Sequence, residues 1–222
     1  MSAMKVVRLD GTWAAKITEM RAAAYEKFGN DLKNSAALQF GPSDIWNANI
    51  AVIEGDELLS LLRLEKHRTE KTLRFSLQTS VSPLEYPAAV LSRAATIGRA
   101  ERQNFHMLLR LVALRALVQA GYREVYGTFR VSSKRSAFLK SLGYNLIEES
   151  SEWSDFLQTN QRTYRAVLDL KSEGHRAITM LEKMLVTDTD QGRQTKASKL
   201  YAEDAGPVQS LVDDLVVFLR AN

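Results

Sequence analysis

Apolar and polar residues recur along this chain at two spacings, and each change of spacing marks an element. The clearest signal runs from Ala88 to Gly121. Ala88 to Ile97 is an almost unbroken apolar run with one cation, Arg93, and predicts a buried strand. Gly98 to Asn104 is a polar turn, and Phe105 to Ala120 predicts a strong helix closed by Gly121. Before this centre, Lys5 to Leu9 predicts a short strand. Asp10-Gly11-Thr12 predicts a turn, with Thr12 as cap of a helix from Trp13 to Phe28 that Gly29-Asn30 stops. Asp31 to Ser43 reads as a loop, with room for a short helix. Asn47 to Glu54 and Leu58 to His67 flank Gly55-Asp56 and predict an antiparallel hairpin. Thr72 to Thr79 alternates and reads as a further strand, before Pro83 and Pro87 break the chain.

After Gly121, Arg123 to Phe129 predicts a strand, and Ser132 or Ser133 caps a short helix from Lys134 to Leu142 ended by Gly143. Tyr144 to Glu148 and Thr163 to Leu170 predict two more strands. Glu173 to Leu185 reads as a helix, Thr187 to Ala205 as a polar linker or arm, and Pro207 onward as an amphipathic terminal helix. Helices interspersed among strands indicate an α/β or α+β domain around one mixed sheet. The expected division is residues 1–171 as that domain and 172–222 as a C-terminal helical extension.

Composition narrows the chemistry only a little. The 222 residues carry 30 Lys and Arg against 26 Asp and Glu, a mild basicity that fits an acidic carrier protein, a phosphorylated cofactor or nucleic acid. The basic residues are dispersed with no aromatic–basic motif, so the nucleic-acid reading rests on charge alone. No cysteine is present, which excludes disulfides and thiolate metal sites. With no long apolar run at the start and none able to span a bilayer, the expectation is a cytoplasmic protein. No His pair has metal-ligand spacing, so no metal is expected. The terminal amphipathic helix needs an apolar face to cover it, on its own domain or on another subunit in a homodimer.

Several residues stand out chemically. Arg93 lies mid-strand among apolar neighbours, and a buried charge needs a partner. It either holds a substrate carboxylate or phosphate or pairs with Glu54, Glu57 or Glu65. Arg63 poses the same choice. Arg99, Arg102, Gln103 and Asn104 precede a helix whose N-terminal amides attract anions, which makes them the phosphate candidates against a solvated basic turn. Glu65 or His67 is a candidate base if it faces a cleft, against an ordinary surface position. Trp46, Phe75, Phe129 and Tyr144 either line an apolar pocket or pack in the core.

Three stretches resemble the GNAT acyltransferase superfamily, and within it the acyl-homoserine-lactone (autoinducer) synthases and N-acyl amino acid synthases. Arg21-Ala22-Ala23-Ala24-Tyr25 is similar to the first helix of that branch, Leu58 to Leu64 with Arg63 to its third strand, and Leu91-Ser92-Arg93 to its central strand. Gly121-Tyr122 and Phe138 to Tyr144 resemble the ends of two later helices. The similarity covers about residues 5 to 170. It implies a mixed sheet splayed between strands 4 and 5, with the gap between Ala94–Ile97 and Tyr126–Phe129. A pantetheine arm would then be gripped by Ala95, Thr96, Ile97, Phe129 and the turn at Arg99, Arg102, Gln103 and Asn104, with amides of Thr96 and Ile97 on the acyl carbonyl. Arg93, Glu65 and His67 are the candidate catalytic residues. The resemblance implies N-acyl transfer from an acyl carrier protein or acyl-CoA thioester to a small amine such as an amino acid, with the thioester as co-substrate rather than a resident cofactor.

The chain also departs from the superfamily pattern. The glycines of the usual pyrophosphate turn fall near Arg102 and Asn104, the Tyr that follows the Phe of the last helix is Leu139, and the central-strand Glu falls near Val90. These departures keep a second reading open, a catalytically inactive GNAT-like binding protein.

Overall fold

A computed structural model describes residues 3–26, 38–77, 86–130, 135–149, 163–187, 189–190, 193–203 and 205–221. In order these form β1 (Met4–Leu9), α1 (Ala14–Glu26), α2 (Pro42–Trp46), β2 (Ala48–Glu54), β3 (Glu57–His67), α3 (Glu70–Leu77), β4 (Ala88–Thr96), α4 (Phe105–Ala120), β5 (Glu124–Arg130), α5 (Arg135–Ser141), β6 (Asn145–Glu149), β7 (Thr163–Asp169), α6 (Gly174–Thr187), the short pair β8 (Thr189–Asp190) and β9 (Arg193–Gln194), α7 (Lys196–Glu203) and α8 (Ala205–Arg220). Among the described residues seven strands make one sheet in the order β1-β2-β3-β4-β5-β7-β6. Only the central pair, β4 and β5, runs parallel. A parallel pair needs a crossover, and α4 supplies it.

Helix α4 is apolar on nearly every side because it lies between layers. Leu108, Leu109, Leu111, Val112, Leu114 and Leu117 are fully buried against Ile50, Leu59, Leu64 and Leu91 of the sheet and against Leu181, Val212 and Leu215 of α6 and α8. The opposite face carries α1, α2 and α3. There Ile17 and Met20 pack on Ala51, Leu61 and Ala95, and Leu73 and Leu77 pack on Ala88, Val90 and Tyr126. No described helix is long and apolar enough to cross a membrane.

Three local predictions are corrected. Residues 72–77 are helical, not a strand. Thr69 starts α3, its carbonyl accepting from Leu73 N at 3.2 Å, and Leu73 and Leu77 share a buried face at i, i+4 spacing. An apolar residue at every second position satisfies both periods over so short a run. The segment from 187 to 205 contains a two-residue hairpin and α7 rather than a featureless arm. The cap before α1 is Asp10, whose carboxylate accepts from Thr12 N at 2.9 Å, not Thr12 itself. The predicted caps Ser132 and Ser133, with Lys134 and Phe28, lie outside the described residues.

Candidate active site

The sheet opens at its centre. Strands β4 and β5 pair only at Ala88↔Glu124, Ala89↔Val125 and Val90↔Tyr126. Beyond that row β4 stays with β3 as far as Thr96, and β5 stays with β7 as far as Arg130. Leu91–Thr96 and Gly127–Arg130 therefore border a wedge, the splay between strands 4 and 5 implied by the resemblance. Gly127 stands just past its apex, where an added Cβ would touch the Leu91 carbonyl at 3.5 Å.

A bulge in β4 accompanies the opening. Arg63 pairs with Ser92 and Leu61 with Ala95, so Leu62 alone faces both Arg93 and Ala94. An extra residue bends and twists a strand away from regular pairing. Arg93 takes the left-handed conformation, φ 53°, which is uncommon for a side-chain-bearing residue. Among the described residues its guanidinium makes no hydrogen bond or ion pair. Burial pulls its pKa below the usual arginine value; nearby Arg63 and Arg21 push the same way, and Tyr25 and Glu65 oppose them.

Beside Arg93 lies a buried polar cluster on the α1–α3 face. Arg21, fully buried on α1, makes a two-pronged ion pair with Asp44 of α2 at 3.0 and 2.6 Å and reaches Asn49 Oδ1 at 3.1 Å. Arg63 and Glu65, two apart on β3, share that face and pair at 2.8 Å. Arg63 also touches Asp44 at 3.4 Å and Ser92 Oγ at 3.1 Å. Ser92 and Ser76 hydroxyls both donate to the Glu65 carboxylate. Burial alone would raise the pKa of Glu65, but the neighbouring His67, the Arg63 charge and the two serines win and bring it to about 2. Asp44 moves the same way. Its desolvation is outweighed by Arg21, the Gly41 amide and Arg63. His67 is buried with its Nε2 3.7 Å from Glu65, and neither ring nitrogen has a hydrogen-bond partner among the described residues. Arg63 is thus a structural residue in this cluster. The carboxylates offered to Arg93 in the sequence are spent elsewhere, Glu65 on Arg63 and Glu54 and Glu57 on Arg99.

The donor side differs from expectation in several places. Ile97 N donates to the Leu59 carbonyl at 3.2 Å, so its amide belongs to β3 and not to a ligand. Successive residues of a strand point their amides to opposite edges, which turns the Thr96 amide into the wedge. The Thr96 hydroxyl meets Ser60 Oγ at 3.0 Å. Ala95 is buried toward α1, its carbonyl 3.3 Å from Ser60 Oγ. Arg99 is exposed and held by Glu57 and Glu54 of the neighbouring hairpin, so it is not a spare phosphate ligand. Gln103 is bonded to the start of α7. Arg102 is exposed, and both it and Asn104 adopt left-handed backbone, φ 63° and 58°. Phe129 is half-buried, its ring 5.6 Å from that of Tyr164. Of the apolar-pocket candidates, Trp46 points to solvent at 75% exposure and Tyr144 is buried with its hydroxyl on Arg110 at 3.0 Å, while the Phe75 side chain lies outside the described residues. Leu139 is buried in the main core.

Sequence reasoning missed Asp44, Asn49 and Ser76. The signal for Asp44 was present, because Gly41-Pro42-Ser43-Asp44 has Pro at the first helical position and an acid two residues later, a helix-start pattern inside what reads as a loop. Val90 lies in one row between Glu65 of β3 and Tyr126 of β5, so a carboxylate does stand beside the position where the family pattern would place one.

The fold is that of the GNAT acyltransferases. Solved structures sharing it include BjaI, a CoA-dependent acyl-homoserine lactone synthase (TM-score 0.61, 10% identity, covering 91% of this chain and 100% of that one). LasI, an acyl-homoserine-lactone synthase, gives TM-score 0.58 at 14% identity over 80% and 95% of the two chains. FeeM, an N-acyl amino acid synthase from uncultured soil microbes, gives 0.56 at 12% identity over 77% and 94%. No protein-family model matches the chain, and no curated protein matches it significantly.

Proposed function

We propose that this chain is an N-acyltransferase that moves an acyl group from a thioester, on acyl-CoA or an acyl carrier protein, to a small amine such as an amino acid. The observation that carries the reading is the wedge between β4 and β5 with Arg93, which has no hydrogen-bond or ion-pair partner among the described residues, on its bulge. A splayed parallel pair leaves backbone amides free to grip an amide-bearing arm, and the Thr96 amide stands where it can bond a thioester carbonyl and stabilise the oxyanion formed on attack. The left-handed turn and the head of α4 offer a phosphate site, with Arg102 supplying charge. Two of the similar structures support the choice of donor and acceptor: BjaI is described with SAM and isopentyl-CoA, and FeeM makes N-acyl amino acids.

On the acceptor side, Arg93 is the positioning cation for an anionic group, since the other carboxylates and guanidiniums of the cluster are already matched. Glu65 stays ionised at neutral pH and draws an ammonium toward the wedge, but a carboxylate of pKa about 2 is a weak base. His67, whose ring nitrogens have no hydrogen-bond partner among the described residues, is the candidate base beside it. In chemical outline, the amine nitrogen attacks the thioester carbonyl, the C–S bond breaks, the thiol leaves as product and the amine loses one proton.

The second reading, a GNAT-like protein that binds the thioester without turnover, is favoured by buried Leu139 and by Val90 where the family carries its acid and base. The test mixes purified protein with acyl-CoAs, acylated carrier protein and a panel of amines. The expected result is donor-induced thermal stabilisation together with thiol release that requires an amine. Stabilisation without thiol release selects the binding protein, and neither signal with any donor overturns both readings.

A further inference from the structure

The turn leading into α4 includes a residue poorly suited to its shape. Arg102 and Asn104 both hold left-handed backbone, which glycine enters freely, asparagine at small cost and arginine against resistance. Gln103, between them, is tied to α7 through both its side chain and its main chain. The Lys196 amide donates to Gln103 Oε1 at 3.1 Å, and the Ala197 amide donates to the Gln103 carbonyl at 3.2 Å. The next amide, Ser198, donates to Thr195 Oγ1 at 3.3 Å. The opening amides of α7 are thus satisfied, two of them by the turn. Helix α7 is itself anchored, with Ala197 and Leu200 buried in the main core and Tyr201 Oη accepting from Arg115 of α4 at 2.8 Å.

We propose that α7 is a clamp on the donor turn and that Gln103 is its positioning residue. The clamp does by tethering what glycine would do by conformational freedom. It holds 102 and 104 left-handed, and so fixes the angle at which the leading amides of α4 meet the phosphate of a thioester donor. Donor affinity then depends on a helix that does not touch the donor. This rests on the donor reading above.

The test uses the full chain carrying Gln103→Ala. The donor KM and the donor concentration giving half-maximal thermal stabilisation should rise by roughly tenfold, the scale of a lost helix cap. The kcat at saturating donor and the acceptor KM should hold, and the amides of residues 98–104 should exchange with deuterium faster. Adding Asn104→Gly, which leaves the Arg102 charge in place, should restore most of the lost affinity, because glycine keeps the shape without the tether. Unchanged exchange in Gln103→Ala, or no recovery on adding Asn104→Gly, overturns the clamp. If the wild-type protein binds no thioester, the donor reading fails, and the exchange measurement alone still decides whether α7 holds the turn.

Discussion

Arg93 is costly to the folded state in two ways: its backbone is left-handed, and its half-buried charge makes no ion pair among the described residues. Arg93→Gly should therefore raise unfolding stability by about 1 kcal/mol, the relief of a strained residue less the extra freedom of glycine in the unfolded chain. It should lower kcat/KM at least about tenfold, since the proposed anion receptor is gone. Denaturant midpoints and steady-state kinetics on the same preparation check both halves. Glu65 gives a pH prediction. Its folded pKa is about 2, below its unfolded value, so its contribution is complete above about pH 4.5 and is lost as pH falls toward 2, in total about 3 kcal/mol. Asp44 adds to the same trend. Acid titration of unfolding stability should show a slope over that window that Glu65→Gln flattens. Arg93 and Glu65 were legible as unusual because a charge in an apolar run is visible in one dimension. The rest of the cluster was not, because Arg63–Asp44 and Arg21–Asp44 join residues about twenty positions apart across α1, α2 and β3.

At the level of elements, the wedge has a signature in amide exchange. Ile97 N–H is bonded to β3 and Thr96 N–H is turned toward the opening, so Thr96 should exchange faster than its neighbour in the free protein and become protected when a thioester binds. Equal protection of the two amides, with and without donor, would mean that the strands are closed. The seven strands of the main sheet, α1, α4 and α8 were legible because turn residues bound each apolar pattern. Helix α3 was not, since eight residues with apolar positions at 73, 75 and 77 fit a strand as well as a helix. Helix α7 was hidden for another reason. Its first amides are satisfied by Gln103, more than ninety residues upstream, and no local pattern records that bond.

At the scale of the molecule, the helices after residue 172 share the core beneath the sheet. Leu215 of α8 is fully buried in the cluster that holds α4, so Leu215→Ala should cost about 2–5 kcal/mol, read as a lowered melting temperature and denaturant midpoint. The same helix is fixed at its end, where Lys66 and Arg68 donate to the carbonyls of Phe218, Arg220 and Ala221 at 3.0 to 3.1 Å and favour its negative pole. Arg8 of β1 meets Asp214 at 3.4 Å on the outer side. The apolar face of α8 packs on this chain's own core, which the sequence could not show because amphipathicity identifies a face to be covered and not what covers it. The bulge at Arg93 has a consequence of its own. The registers on either side of it differ by a single surplus residue, so excising residue 93 alone would let Ser92, Ala94 and Ala95 face Arg63, Leu62 and Leu61 one for one. The central strand could then straighten against β5 and close the sheet. A loss of three nucleotides would then keep the sheet and remove the wedge proposed to take a thioester.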